Sequence, residues 1–173
     1  MAYYGDSDED EIWEEETLPD FHEQVLLSNK KPKDGRLYTM FHGTTLEAAQ
    51  KIIAHGFQQS TDGLLGKGVY VSRDQKKAER YPLGDQRYQV ILKLRVNVGK
   101  VKKIDHQGHP LRKMWYKEYD TAWVPKWCGI VASGLEEDCV RNPNRIKVIG
   151  VVKAPGKSKP HLERMIDNKN KKR

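Results

Sequence analysis

Phe41-His42-Gly43-Thr44-Thr45 joins two different periodicities, and the fold is read outward from it. Before it, Leu37–Phe41 reads as a strand that ends at His42-Gly43. After it, Leu46, Ala49, Ile52 and Ile53 recur on one face of a helix that runs to His55. Thr44 or Thr45 can cap that helix, and Gly56 stands where a left-handed C-cap is expected.

Downstream, Gly63, Gly66 and Gly68 predict a flexible loop ahead of a strand at Val69–Ser72, within Gly66-Lys67-Gly68-Val69-Tyr70-Val71-Ser72. Asp74 can cap a short helix, Gln75–Tyr81, which Pro82 ends. From Tyr88 to Val96, apolar residues alternate with Gln89, Lys93 and Arg95, the pattern of a half-buried strand. Gly99 separates it from an extended piece at Lys100–Ile104. Asp105–Leu135 reads as a long irregular stretch that carries Trp115, Trp123 and Trp127. Strands at Asp138–Val140 and Ile146–Val152 follow, joined by an Asn142-Pro143-Asn144 turn. Several short strands with two short helices early in the chain predict an α+β fold built mainly on sheets.

The 173 residues fit one domain with two tails. The net charge of +7 is segregated: residues 1–20 carry −9, residues 21–153 carry +11 and residues 154–173 carry +5. Residues 1–20 hold only Ile12 and Trp13 among carboxylates and read as an acidic disordered tail, either a solubilising segment or one that folds back on the basic face. Residues 21–153 read as the folded domain, and 154–173 as a basic flexible tail with a short helix at His161–Asp167. A basic domain suits an anionic partner, whether pyrophosphate, nucleic acid or an acidic protein. Two cysteines, Cys128 and Cys139, are too few for a disulfide framework and point to a reducing compartment. No window approaches the ~18 apolar residues of a membrane span, so a soluble protein without a membrane partner is expected. The cytoplasm is the expected location, with the nucleus as the alternative.

The chemistry-bearing side chains sit at strand ends. His42 can hydrogen-bond a ribose hydroxyl, Gly43 lets backbone approach a planar carboxamide, and Tyr70 offers a flat ring for stacking. Glu137, in Glu137-Asp138-Cys139-Val140-Arg141-Asn142-Pro143-Asn144-Arg145-Ile146, can hold a hydroxyl and offset positive charge on a ribose carbon. Those are the requirements for binding a nicotinamide dinucleotide and breaking its glycosidic bond through an oxocarbenium-like state. Each residue alone is more often structural; their order and their glycine neighbours carry the reading. His106, His109, Cys128 and Cys139 match no common zinc module, so no metal is expected. Neither a nucleophile-elbow pentapeptide nor a Walker loop is found.

These three stretches resemble the His-Tyr-Glu signature of the poly(ADP-ribose) polymerase-like ADP-ribosyltransferases, and Leu37–Val152 is similar in order and spacing to their catalytic fold without the helical regulatory domain. The resemblance implies two packed, mostly antiparallel sheets with short helices, and NAD as co-substrate. It implies catalytic roles for His42, Tyr70 and Glu137, with Glu136 as the one-residue register alternative. It also implies a donor site of His42, Gly43, Tyr70, Ala78 and Tyr81, where Tyr81 holds the place of a second stacking tyrosine. The loop Ser60–Lys67 would cover that donor site, and Asp105–Leu135 would help choose a protein or nucleic-acid acceptor. Ala78 departs from the pattern, since polymerising members carry a serine there whose hydroxyl binds the nicotinamide amide. Leu37–Tyr81 and Asp120–Val148 further resemble the virus-induced, PARP-like proteins first described as grass carp reovirus-induced gene 2, which implies an interferon-responsive antiviral role. The activity expected is NAD-dependent mono-ADP-ribosylation. Two other readings stay open: a non-catalytic module that binds NAD, ADP-ribose or nucleic acid, and an RNA 2′-phosphotransferase on the same fold using Arg73, Arg80 and Arg95.

Overall fold

A computed structural model describes residues 29–171. The acidic segment expected at residues 1–20 lies outside the described residues. Strand β1, Leu37–Thr45, continues four residues past Phe41 because β3, Gln89–Asn97, pairs with it antiparallel along its whole length. Helix α1, Leu46–His55, starts at once: the Thr45 side chain accepts the Ala48 N–H at 3.1 Å, and Gly56 closes it at φ +89°. Ala49 and Ile53 are buried, with Leu46 and Ile52 packed beside them, the face expected from the sequence.

β3 is the middle strand of a three-stranded sheet ordered β1-β3-β7, with β7 spanning Ile146–Lys153. That position buries Gln89 and most apolar residues of β3, so the strand is more enclosed than its alternation implies. A second sheet is ordered β2-β6-β5-β4, from Val69–Val71, Glu137–Val140, Thr121–Val124 and Val101–Lys103. Only β4 and β5 run parallel among the paired strands. The fold is α+β, two mostly antiparallel sheets with few helices. A single antiparallel bridge, Phe41 with Ser72, ties β1 to the end of β2.

Three segments differ from the sequence reading. The stretch 105–135 is not irregular throughout: it contains β5, all four residues buried, and a 3-10 turn at Trp115–Lys117. The helix after Asp74, α2, spans Gln75–Ala78 and not Gln75–Tyr81. Beyond Ala78 the bonds shorten to three-residue spacing, Arg80 N–H to Lys77 C=O and Tyr81 N–H to Ala78 C=O, which winds the chain into a turn before Pro82. The C-terminal segment is an ordered helix, α3, Ser158–Lys171, where a flexible tail was expected. Its Leu162 and Ile166 are buried in the same core as Ala49, Ile53, Leu92 and Val151. That apolar pair at i, i+4 gives the helix a face to bury despite its surrounding charges.

Candidate active site

The bridge that joins the sheets also ends the ladder between them. Phe41 N–H donates to Ser72 C=O at 2.7 Å, and Ser72 N–H returns to Phe41 C=O at 3.1 Å. In this register the next bonded pair would be Gly43 with Tyr70. It does not form. The His42 ring takes the Tyr70 carbonyl instead, Nδ1 to O at 2.8 Å. The strands part there, and the Gly43 N–H and C=O, on the same edge as those of Phe41, are directed into a cavity of about 1000 Å³. The volume sits at the upper end of small-ligand sites.

The bond to a carbonyl requires Nδ1 to carry the proton. Burial lowers the His42 pKa, against which the Tyr70 carbonyl bond acts in the opposite sense. A neutral ring protonated on Nδ1 leaves Nε2 as a hydrogen-bond acceptor, suited to a ligand hydroxyl. The ring is held from the side by Phe57, edge to face at 5.1 Å between centroids.

Gly43 is required for a second reason. A Cβ there would lie 1.9 Å from the Ala78 carbonyl oxygen and 2.9 Å from that of Tyr81. The turn after α2 therefore packs directly onto β1, and both Ala78 and Tyr81 line the cavity. Ala78 is buried against Phe41 and Ile91. Tyr70 also lines the cavity, and its hydroxyl donates to Gly66 C=O at 2.6 Å and accepts Leu65 N–H at 2.9 Å. Burial pushes the phenol pKa up, with the neighbouring Cys139 thiol adding to it. The hydroxyl thus stays protonated and clamps the loop whose Ser60, Asp62, Gly63 and Leu64 line the cavity.

Strand alternation separates the two glutamates. Glu137 lines the cavity, with Lys77 Nζ 3.3 Å from Oε1. Glu136 points the other way and is wholly buried: Oε1 accepts the Arg73 N–H at 2.8 Å and Nε at 3.3 Å, and Oε2 accepts Trp123 Nε1 at 3.1 Å. Burial raises the Glu137 pKa, and the Lys77 charge opposes that rise. All six residues of the expected site, His42, Gly43, Tyr70, Ala78, Tyr81 and Glu137, border one cavity.

Lys77 was not foreseen. It is buried between carboxylate and hydroxyl, donating to Ser133 Oγ at 3.0 Å and standing 6.0 Å from the centre of the Tyr81 ring. In the sequence it is one lysine beside another; only the turn of α2 separates buried Lys77 from exposed Lys76. The segment Ile130–Ser133 closes the same side of the cavity. The three arginines considered for phosphate binding do not gather there. Arg80 lines the cavity, Arg73 is committed to Glu136, and Arg95 lies in β3 opposite Thr39 and Lys147.

A comparison with curated proteins returns no match. The sequence model of the poly(ADP-ribose) polymerase catalytic domain matches residues 10–123. His42, Gly43, Tyr70, Ala78 and Tyr81 fall inside that match and Glu137 lies beyond its end, brought to the same cavity by β6. With more than half of its length so matched, the chain belongs to the poly(ADP-ribose) polymerase catalytic domain family.

Proposed function

We propose that the protein transfers single ADP-ribose units from NAD to an acceptor, with Glu137 as the catalytic carboxylate. Family membership supports NAD as the co-substrate. The observation that carries the reading is the parted seam between β1 and β2, where a neutral acceptor nitrogen, an open backbone edge and a carboxylate border one cavity. The residues fit the donor. The Gly43 edge offers one N–H and one C=O, the complement of a carboxamide, and borders the cavity beside Ala78 and Tyr81. His42 Nε2 accepts from a ribose hydroxyl, while the Tyr70 and Tyr81 rings flank the place of a nicotinamide. NAD supplies a glycosidic bond whose leaving group is the neutral nicotinamide. Glu137 holds a ribose hydroxyl and places negative charge where positive charge develops on the ribose carbon. Lys77 holds that carboxylate at 3.3 Å and opposes the rise in its pKa that burial causes. Ala78 lacks the serine hydroxyl of polymerising members, which removes one hydrogen bond to the nicotinamide amide and weakens donor binding by about 0.5–1.5 kcal/mol. The virus-responsive role implied by the closer resemblance is part of this proposal and rests on that resemblance alone.

The test is nicotinamide release and labelled ADP-ribose transfer by the full chain. Glu137→Gln should lower the rate about 10²–10³-fold while NAD affinity changes little. Equal loss of rate and affinity would make Glu137 a binding residue. Absence of turnover in wild type, with NAD binding retained, would leave a binding module.

A further inference from the structure

We propose that the face built from β4, the 3-10 turn and the start of the β6–β7 connection binds single-stranded nucleic acid. The inference does not depend on the transferase reading. Residues 100–117 carry Lys100, Lys102, Lys103, Arg112, Lys113 and Lys117 against one acid, Asp105. A run of this kind is usually a solvated face. Here the fold joins it to cations from elsewhere and interleaves them with tyrosines.

The contacts form a continuous band. Arg141 Nη1 donates to the Lys67 carbonyl at 3.2 Å, and the same guanidinium lies 3.8 Å over the Tyr116 ring. The Arg141 N–H donates to the Asp120 carbonyl at 3.0 Å. Beside Asp120, the Tyr119 ring meets Lys100 at 5.0 Å and Lys102 at 5.6 Å. Of the nearby carboxylates, Asp62 pairs with Lys113, Asp105 with Lys103 and Asp120 with Arg145; Asp34 accepts the Val101 N–H at 2.9 Å, and Glu118 is exposed between the two tyrosines. Lys67, Lys100, Lys102, Lys117 and Arg141 form no ion pair with a carboxylate among the described residues. Tyr116 and Met114 are exposed, at 38 % and 46 %.

Uncompensated cations alone would accept any polyanion. The aromatic component selects among them. Exposed Tyr116 with the Arg141 guanidinium plane, and half-buried Tyr119 further along the line of lysines, put aromatic surface for bases beside charges for phosphates, the pairing that single-strand binders use. An acidic polypeptide would satisfy the lysines and bring no base to the Tyr116 and Arg141 surface. At Lys67 the band reaches the loop whose Gly63, Leu64 and Gly68 line the cavity, so a bound strand runs up to the edge of the candidate active site.

The test is fluorescence anisotropy of a labelled oligouridylate of about 12 nucleotides with the full chain, across a salt series. Binding should weaken with salt. Lys100→Ala with Lys102→Ala should reduce the slope of log K against log salt by about 1.4, about 0.7 per lysine removed. Lys157→Ala with Arg164→Ala removes the same charge from the exposed turn before α3 and from its exposed side, and should leave the slope unchanged. Poly-glutamate at equal charge should displace the oligonucleotide poorly from wild type, a measurement independent of how any variant folds. Equal weakening by the two double variants, efficient displacement by poly-glutamate, or absence of wild-type binding at low salt would each overturn the proposal.

Discussion

At the scale of single residues, the site depends on two positions where side-chain atoms are missing. Gly43 has none because backbone oxygens of Ala78 and Tyr81 occupy the space. Gly43→Ala should therefore cost about 1–3 kcal/mol of stability, since backbone cannot yield as a flexible side chain would. It should also weaken NAD binding by displacing the turn that carries Tyr81. Denaturant unfolding and calorimetry check both; a stable variant with native affinity would show that α2 can move away from β1. Ala78 lacks only a hydroxyl. Ala78→Ser should tighten binding of NAD by up to about 1 kcal/mol, roughly fivefold, by adding one hydrogen bond to the amide. Ser costs about 0.5 kcal/mol of helix propensity, which the last residue of α2 tolerates. A gain in affinity and in nicotinamide release would identify a weakened donor site. An unchanged affinity would mean that the amide is held elsewhere.

At the scale of elements, β6 and the residue just before it carry three consecutive carboxylates on alternating sides. Glu137 faces the cavity, while Glu136 and Asp138 face the interior. Neither Asp138 carboxylate oxygen accepts a hydrogen bond. Burial, then the Glu136 charge, raises its pKa well above the usual carboxylate range, with Arg73 opposing and Glu137 adding to the rise. In the unfolded chain Asp loses its proton near pH ~3.9, whereas the folded chain keeps it. The folded state then binds more protons above that pH, so stability falls as pH rises toward the folded pKa. Asp138→Asn should remove this dependence: unfolding midpoints of wild type should fall between about pH 5 and about pH 8 more steeply than those of the variant. Parallel profiles would show that Asp138 is ionised and partnered. The same element explains what the sequence conceals. The β1–α1 junction was legible because the apolar period changes there, and Thr45 and Gly56 mark both ends of the helix. Nothing comparable marks β5: four residues buried throughout offer no alternation. Lys77 was hidden because its partner Glu137 is distant in sequence and only the fold buries the pair.

At the scale of the molecule, α3 supports the cavity from behind. Ala48, Lys51, Ile52 and His55 of α1 line the cavity, while Ala49 and Ile53 of the same helix share a core with Leu162 and Ile166. Lys169 Nζ also donates to the Ala54 carbonyl at 2.9 Å, near the end of α1. The charge of residues 154–173 made a flexible tail the natural expectation, because the apolar stripe of α3 is only two buried residues wide. The structure makes the opposite prediction. Leu162→Ala should cost about 2–5 kcal/mol, the range for truncating a fully buried leucine. Arg164→Ala, on the exposed side, should stay within about 0.5 kcal/mol of wild type. Because α1 forms one wall of the cavity, the Leu162 variant should also show weaker NAD binding under conditions where it remains folded. Chemical denaturation of both variants, followed by calorimetry on the folded fraction, reads the two effects separately. A Leu162→Ala protein as stable as wild type would mean that α3 lies loosely on the domain and that α1 holds its place through β1 and β3 alone. Stability lost with affinity intact would mean that the cavity wall is set by α1's own contacts, with α3 contributing to the fold and not to the site.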